Sequence, residues 1–230
     1  MKTIGFIGAY DKTDMLLNIA KILTTMKNKV LIIDSTINQK ARYVVPAISP
    51  AVSYITSFED IDVAIGFKNI EEIKKYAGIT EDLPYDILLV DSDVPERIEE
   101  FHLDMAYKNY FVTSFDMYSL RRGIEILSGL KVPINLTKIL FTQEVLKEDD
   151  DYLNFLSVGY KMIWDEERIY FPIENGDLSA IAENQRVEKI KFKKLSVSYK
   201  DGLNFIVQQI LGLNNDTHIR RAIRIIERGV

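Results

Sequence analysis

The first 39 residues place a strand, a loop, a helix and a second strand in immediate succession. An apolar run at residues 3–8 is followed by a loop at 9–13, and a second apolar run at 30–33 ends at Asp34. Between the two runs, apolar residues recur at helix spacing at Met15, Ile19, Ile22 and Leu23. Short apolar runs of this kind are typical of parallel strands that are buried on both faces. The order predicts a βαβ unit whose first loop lies at a helix N-terminus, where free N–H groups and the helix dipole favour phosphate.

The loop after the first run resembles a Walker A loop, which has the pattern G-x-x-x-x-G-K-[ST] and curls its backbone around phosphate. Lys12 and Thr13 match the last two positions of the pattern, and Gly8 lies inside the loop. Phe6 and Asp11 stand where the pattern has its two glycines. The resemblance implies ATP and Mg²⁺ as ligands of a loop made of Gly8, Ala9, Tyr10, Asp11, Lys12, Thr13 and Asp14.

The loop, its helix and the sequence VLIIDST followed by Gln39 together resemble the deviant-Walker ATPases of the ParA/MinD family, which includes the pilus-assembly relatives TadZ and CpaE. On that family's pattern, Ile7 stands in place of the signature lysine, which reaches across to a second subunit. Thr36 stands in place of the aspartate that positions the attacking water. The resemblance covers residues 2–212 and implies a P-loop NTPase-like domain with a degenerate Walker A loop and without efficient ATP hydrolysis.

A second motif closes another apolar run. The sequence YDILLVD at 85–91 resembles the family's Walker B segment, in which a carboxylate at the tip of a strand holds a Mg²⁺-bound water. The resemblance implies Thr13, Asp34 and Asp91 as the residues around the metal. From the residues alone, Asp91 and Asp93 can also be the end of a strand and the start of a helix.

Two acidic side chains at the loop, Asp11 and Asp14, argue against triphosphate binding. One contact between like charges at about 4 Å costs on the order of 4 kcal/mol at an effective dielectric constant near 20. The alternative is that Asp11 caps the first helix and Lys12 is a solvated surface residue. Both interpretations stay open from the sequence.

The remaining pattern predicts one α/β domain at residues 1–212. Further strands are predicted at 52–56, 85–91, 110–113, 136–141 and 168–172, and helices at 69–76, 95–105, 116–130, 178–184 and 197–211. We expect a doubly wound, mainly parallel sheet with helices on both faces, a Rossmann-type three-layer arrangement. The acidic cluster at 148–151 is interpreted as a solvated helix start. The resemblance makes the loop at 172–175 a candidate wall for adenine.

The last residues, 213–230, differ from this body because they are basic. The pattern predicts an amphipathic helix with an apolar face of Ile219, Ala222, Ile223, Ile226 and Val230. Around that face lie Arg220, Arg221, Arg224 and Arg228, in a chain that is otherwise acidic. Such a helix can dock on a protein partner or on the chain's own surface, lie on an anionic membrane as the tail of MinD-like proteins does, or contact the DNA backbone.

The amino-acid composition excludes some kinds of metal site and argues against some kinds of partner. The chain of 230 residues has no Cys and two His, which excludes disulfides and Cys-based metal sites and argues against a His-built zinc site. The net charge of −5 argues against binding of nucleic acid over the whole surface. The chain has no run of about 18 apolar residues, and its N-terminus enters a strand directly. We therefore expect a cytoplasmic protein without a membrane span or signal peptide, with peripheral membrane contact through the tail as an alternative.

Three functions of different classes stay open from the sequence. The one we favour is a positioning or assembly factor for a pilus, secretion, conjugation or partition apparatus, which acts as a homodimer and through protein partners rather than by turnover. The second is an active ATPase of plasmid or chromosome partitioning. The third is a DNA-binding module that uses the arginine-rich tail, whose affinity would fall steeply with salt. Because Ile7 cannot reach a second subunit, ATP is not expected to strengthen a dimer.

Overall fold

The computed structural model describes residues 1–142 and 147–229, without the side chains of residues 147–149. The strands are β1 Lys2–Ile7, β2 Val30–Asp34, β3 Tyr54–Phe58, β4 Ile61–Ile65, β5 Ile87–Ser92, β6 Lys108–Ser114, β7 Ile134–Phe141 and β8 Met162–Phe171. The α-helices are α1 Thr13–Thr25, α2 Ile70–Ala77, α3 Pro95–Glu100, α4 Met117–Ser128, α5 Lys147–Leu156, α6 Asn175–Arg186, α7 Val197–Leu211 and α8 Thr217–Arg228. None of these helices is both long and apolar enough to cross a membrane.

The described strands form one sheet in the order β3-β4-β2-β5-β1-β6-β7-β8, in which every neighbouring pair is parallel except β3 and β4. Strand residues alternate between two apolar cores, one on each face of the sheet. Helices α1, α6, α7 and α8 contribute to the first core, and α2, α3, α4 and α5 to the second. The predicted doubly wound, mainly parallel sheet with helices on both faces is confirmed.

The strand order reverses beside β1, which places a crevice at the carboxyl ends of the central strands. In the register of β2 and β5, Asp34 lies next to Asp91. On the other side of Asp91 lies Phe6 of β1, two residues before the loop that contains Lys12. Motifs that are far apart in the sequence therefore meet at one edge of the sheet, as the predicted βαβ order requires.

The strand predicted at 52–56 lies two residues later, as β3, and it runs antiparallel to β4. The two strands are joined by a tight turn at Glu59 and Asp60, whose φ angles are 53° and 66°. A two-residue turn with positive φ at both positions matches the right-handed twist of a hairpin. The apolar run that follows the turn, which gave no clear prediction, is the strand β4.

Two predicted helices have different limits. The helix predicted at 95–105 ends at Glu100, because His102 takes a left-handed conformation (φ 51°) that an α-helix cannot include. The helix predicted at 178–184 begins earlier, at Asn175, because the carboxylate of Asp177 accepts a hydrogen bond from the backbone N–H of Glu174 at 2.9 Å.

The tail forms α8 and packs on the body of the protein. Its apolar face is buried against α1 and α7 through Ile219, Ala222, Ile223 and Ile226. Lys200 of α7 and Glu227 of α8 form an ion pair at 2.6 Å. Docking on the chain's own surface, one of the predicted alternatives, is therefore what the structure shows for this face. Val230, the last residue assigned to the face, lies outside the described residues, and a domain division at residue 212 stays a prediction.

The docking of α8 predicts effects of very different size on the free energy of unfolding for two neighbouring substitutions. Ile223→Asp places a charge in a buried apolar contact, and we expect it to lower the free energy of unfolding by about 3 kcal/mol. The matched control is Arg224→Gln, at an exposed position of the same helix, which should change that free energy by less than about 0.5 kcal/mol. Urea unfolding measures both. Equal effects of the two substitutions would contradict the docking.

Candidate nucleotide-binding cleft

A cleft of about 100 Å³ opens at the carboxyl ends of β1, β2 and β5. Six of the seven predicted loop residues, Gly8 to Thr13, line it together with Asp91. Further lining residues, which the sequence analysis did not select as site residues, are Thr36, Asn38, Lys40, Asp93 and Tyr118. Sites for drug-sized ligands usually measure about 300–1,000 Å³, so the cleft in this arrangement does not enclose a whole nucleotide.

Gly8 is required by the packing of the loop against the sheet. Its φ angle is +140°, and a Cβ atom at this position would lie 2.2 Å from the backbone oxygen of Val112 in β6. Its N–H donates to the backbone oxygen of Ser92 at 3.1 Å. The need for glycine at this position therefore follows from the close approach of two strands to the loop, whether or not phosphate binds.

Lys12 is buried, with 2% of its surface exposed, so the interpretation of Lys12 as a solvated surface residue is wrong. Its Nζ donates to the backbone oxygens of Gly8 at 2.6 Å and Tyr10 at 3.1 Å. The same Nζ lies 2.9 Å from Oδ1 of Asp91, in an ion pair that is buried on both sides. An ammonium group has three N–H donors. Two of them go to the backbone oxygens, and the contact with Asp91 is an ion pair in which Oδ1 of Asp91 accepts no hydrogen bond from the described residues. The ammonium group is thus engaged by the protein itself in this arrangement.

Asp91 is almost fully buried at the end of β5. The pKa of its carboxyl group is raised to about 7 overall: burial raises it, because the charged form loses its hydration, and the neighbouring charge of Asp34 adds to the rise. The ammonium group of Lys12 acts in the opposite direction. Asp91 is thus a carboxylate that depends on Lys12 for its charge near neutral pH.

The predicted metal ligands Thr13, Asp34 and Asp91 come to the same end of the sheet but bind protein groups there. Oδ1 of Asp34 accepts from N and Oγ1 of Thr36 at 3.1 and 2.6 Å, and Oδ2 accepts from N of Ala41 at 3.0 Å. The hydroxyl of Thr36 is thus used to hold Asp34. Within the described residues, no three His, Cys, Asp or Glu side chains are grouped as metal ligands. In this arrangement the carboxylates of Asp34 and Asp91 are engaged by protein groups, and the use of these residues as Mg²⁺ ligands stays a prediction.

Asp11 closes the loop at its outer side. Its Oδ1 accepts from N of Thr13 at 3.1 Å, and its Oδ2 accepts from Nζ of Lys40 at 3.1 Å. Burial acts to raise the pKa of this carboxyl group, but the two hydrogen bonds outweigh it and hold the pKa below its usual value. The N-cap of α1 is Lys12, without a side-chain cap, so the prediction of Asp11 as the N-cap is wrong: Asp11 accepts from the first N–H of the helix from the position before the cap.

Three residues near the loop direct their side chains to other parts of the protein. Asp14 and Ile7 do not line the cleft, and Tyr10 lines it but packs its ring on a neighbouring strand. The carboxylate of Asp14 accepts from Nε2 of Gln185 at 2.9 Å, and burial raises its pKa to about 6. Ile7 is fully buried in the core at the end of β1, so this position offers nothing to a second subunit. The ring of Tyr10 stacks on Phe141 with 4.5 Å between the ring centres.

Two further predicted contact regions lie outside the cleft. The loop at 172–175 is not among the residues that line it, and its role as a wall for adenine stays a prediction. On α8, Arg220 pairs with Asp201 at 3.1 Å and with Asp216 at 2.6 Å. The other three arginines of that helix are exposed on its outer side: Arg221, Arg224 and Arg228.

Comparison of the whole chain with solved structures shows what it resembles. MinD in the MinC:MinD cell division protein complex of Aquifex aeolicus superposes with a TM-score of 0.61 and 16% identity, over 94% of this chain and 97% of that one. A ParA family ATPase from Chlorobium tepidum superposes with a TM-score of 0.55 and 15% identity, over 97% of this chain and 98% of that one. The ATP complex of a Cyanothece McdA variant superposes with a TM-score of 0.56 and 14% identity, over 94% of this chain and 98% of that one. The chain has the fold of the MinD and ParA-family ATPases.

These likenesses concern the fold, since the identities are low. No family model and no curated protein matches the sequence. The expected ParA/MinD-like fold is confirmed, whereas the closer likeness to TadZ and CpaE stays a prediction.

Proposed function

We propose that this protein is a positioning or assembly factor for a larger cellular machine, and that it acts by binding protein partners and a second copy of itself rather than by ATP turnover. Candidate machines are a pilus, secretion, conjugation or partition apparatus. The observation that carries the proposal is the internal use of Lys12, whose Nζ is engaged by Asp91 and by two backbone oxygens of its own loop.

Phosphoryl transfer needs a free cation at the phosphates, carboxylates at the metal and a group that orients the attacking water. In this chain the corresponding side chains are bound to other groups of the protein. Lys12 neutralises Asp91, Asp34 holds the segment that follows β2, and Thr36 donates to Asp34. A fold shared with MinD and ParA-family ATPases supports a positioning role, while this set of contacts supports a role without turnover.

The proposal predicts that the protein releases no phosphate from ATP and Mg²⁺ above the buffer rate. Calorimetry with ATP or ADP should show no binding up to about millimolar nucleotide, because Nζ of Lys12 binds its own loop and the carboxylate of Asp11 takes the backbone N–H of Thr13. Sedimentation should find that ATP with Mg²⁺ leaves any monomer–dimer equilibrium unchanged.

An active partitioning ATPase is the second candidate, because Lys12, Thr13 and Asp91 keep their places beside one another. Turnover that is lost in both Lys12→Ala and Thr13→Ala would contradict the proposal and favour this candidate. Thr13→Ala is needed because removal of Lys12 leaves a buried carboxylate unpaired and affects folding as well.

A DNA-binding module is the third candidate, supported by the exposed Arg221, Arg224 and Arg228. Contacts to phosphates release counterions, so DNA affinity through these residues would fall steeply between about 50 and 200 mM salt. Replacing the three arginines by glutamine would then remove the salt dependence. The apolar face that a membrane-bound helix needs is buried on α1 and α7, which argues against membrane contact through this helix.

A further inference from the structure

The carboxylate of Asp11 uses the contacts that a phosphate would use in this cleft. One of its oxygens accepts from the backbone N–H of Thr13, the first residue of α1, at 3.1 Å. The other accepts from Lys40 at 3.1 Å. Lys40 and Lys12 are the cations among the residues that line the cleft, and Lys12 is held by its own loop. Asp11 therefore binds Lys40, the solvent-exposed one of the two lysines that line the cleft.

We propose that Asp11 is a built-in occupant of the loop's anion position, which excludes phosphate and nucleotides from the cleft by direct competition for Thr13 and Lys40. The inference rests on the proposed function and deepens it, because it names the residue that keeps the site closed. It assigns the pyrophosphate part of a nucleotide as the ligand class that the cleft accepts once Asp11 is removed.

The other described carboxylates near the loop are placed differently. Asp14 binds Gln185, outside the cleft, and Asp91 pairs with Lys12. Asp93 lines the cleft, but its Oδ1 accepts from the backbone N–H of Ile37 at 2.9 Å, on the far wall. Among these groups, Asp11 alone contacts both a loop N–H and Lys40, so its effect goes beyond adding negative charge.

Two substitutions separate the parts of this contact. Asp11→Asn removes the charge but keeps an oxygen that can accept from Thr13. Asp11→Gly removes the occupant and supplies the residue that a Walker loop has before its lysine. Asp93→Asn is the matched control, because it removes one negative charge from the same cleft and leaves Asp11 in place.

The test is calorimetric titration of each variant with inorganic pyrophosphate and with ATP plus Mg²⁺. We expect the wild type and Asp93→Asn to show no binding of pyrophosphate up to about millimolar concentration, Asp11→Gly to bind it with a Kd at least about tenfold below that limit, and Asp11→Asn to bind more weakly than Asp11→Gly. Adding Lys40→Ala to Asp11→Gly should remove most of the gain, since Lys40 is then the phosphate's partner.

An affinity of Asp11→Gly no better than that of Asp93→Asn would overturn the inference. Asp11→Asn serves the same purpose if the glycine variant does not fold, and circular dichroism checks the fold of each. Failure here is distinct from failure of the proposed function. Turnover by the wild type overturns the proposed function, whereas the absence of any gain in both Asp11 variants overturns the role of Asp11 alone.

Discussion

Asp150→Ala is expected to lower the free energy of unfolding by about 3–5 kcal/mol, although Asp150 lies far from the cleft. Its carboxylate is fully buried on α5 and accepts from Nζ of Lys138 at 2.7 Å and from the guanidinium of Arg168. Lys138 is itself buried on β7, over the ring of Trp164 and 2.5 Å from Oδ1 of Asn154. Removal of the carboxylate leaves that ammonium without its counter-charge, and a buried unpaired charge is costly.

The neighbouring residue provides the control. Asp151 is exposed on the same helix, so Asp151→Ala should change the free energy of unfolding by less than about 0.5 kcal/mol. Urea unfolding of the two variants measures the difference. Replacing both members of the buried pair, as in Asp150→Leu with Lys138→Met, should restore part of the loss, because an apolar pair needs no charge compensation. A small effect of Asp150→Ala would mean that α5 does not dock through this pair.

This buried pair also corrects the interpretation of residues 148–151 as a solvated acidic cluster. The prediction is wrong for Asp150, whereas Asp151 is exposed as expected; the side chains of Glu148 and Asp149 lie outside the described residues. Acidic runs at helix starts are usually solvated. Local sequence could not identify the exception, because the cations that bind Asp150 come from β7 and β8 and meet α5 only through the sheet.

The fold was predictable because apolar runs and helical spacing specify buried strands and their covering helices without reference to distant residues. The central strands and the helix α1 follow directly from this pattern, whereas the meeting of Asp34 with Asp91 was implied by the family resemblance. The antiparallel pairing of β3 with β4 was harder to predict from the sequence. It depends on the turn at Glu59 and Asp60, in which Asp60 tolerates positive φ but Glu59 is not a residue that usually marks such a turn.

The candidate site was predictable in position but not in its contacts. Gly8 to Thr13 and Asp91 line one cleft, as the motifs indicate. The sequence did not select Lys40, because its partner Asp11 is far away along the chain, and the only signal was its place in the segment after Asp34. Nor could spacing tell that Lys12 is buried against Asp91, since that ion pair depends on the register of β1 beside β5.

The Lys12–Asp91 pair leads to the second large prediction. We expect Lys12→Met to lower the free energy of unfolding by about 3–5 kcal/mol at about pH 8, because Asp91 is then a buried carboxylate without a cation. Lys40→Met is the matched control. It breaks an ion pair of the same cleft whose side chains are 54% and 41% exposed, and pairs in that setting contribute about 0–1 kcal/mol.

The loss in Lys12→Met should shrink by about 1.4 kcal/mol as the pH falls from about 8 to 5.5, and this pH-dependent part identifies the contribution of Asp91. The pKa of Asp91 rises from 3.8 to about 7 on folding, so between these values the folded protein holds more protons than the unfolded chain. The free energy of unfolding therefore decreases as the pH rises through this window. Without Lys12 the folded pKa is higher still, which extends the decrease above pH 7 by at most about 1.4 kcal/mol per pH unit. Asp14, whose pKa is about 6, titrates in both proteins and cancels in the difference. Urea unfolding at about pH 5.5 and pH 8 tests this, and an equal loss at both values would contradict a buried, unpaired Asp91.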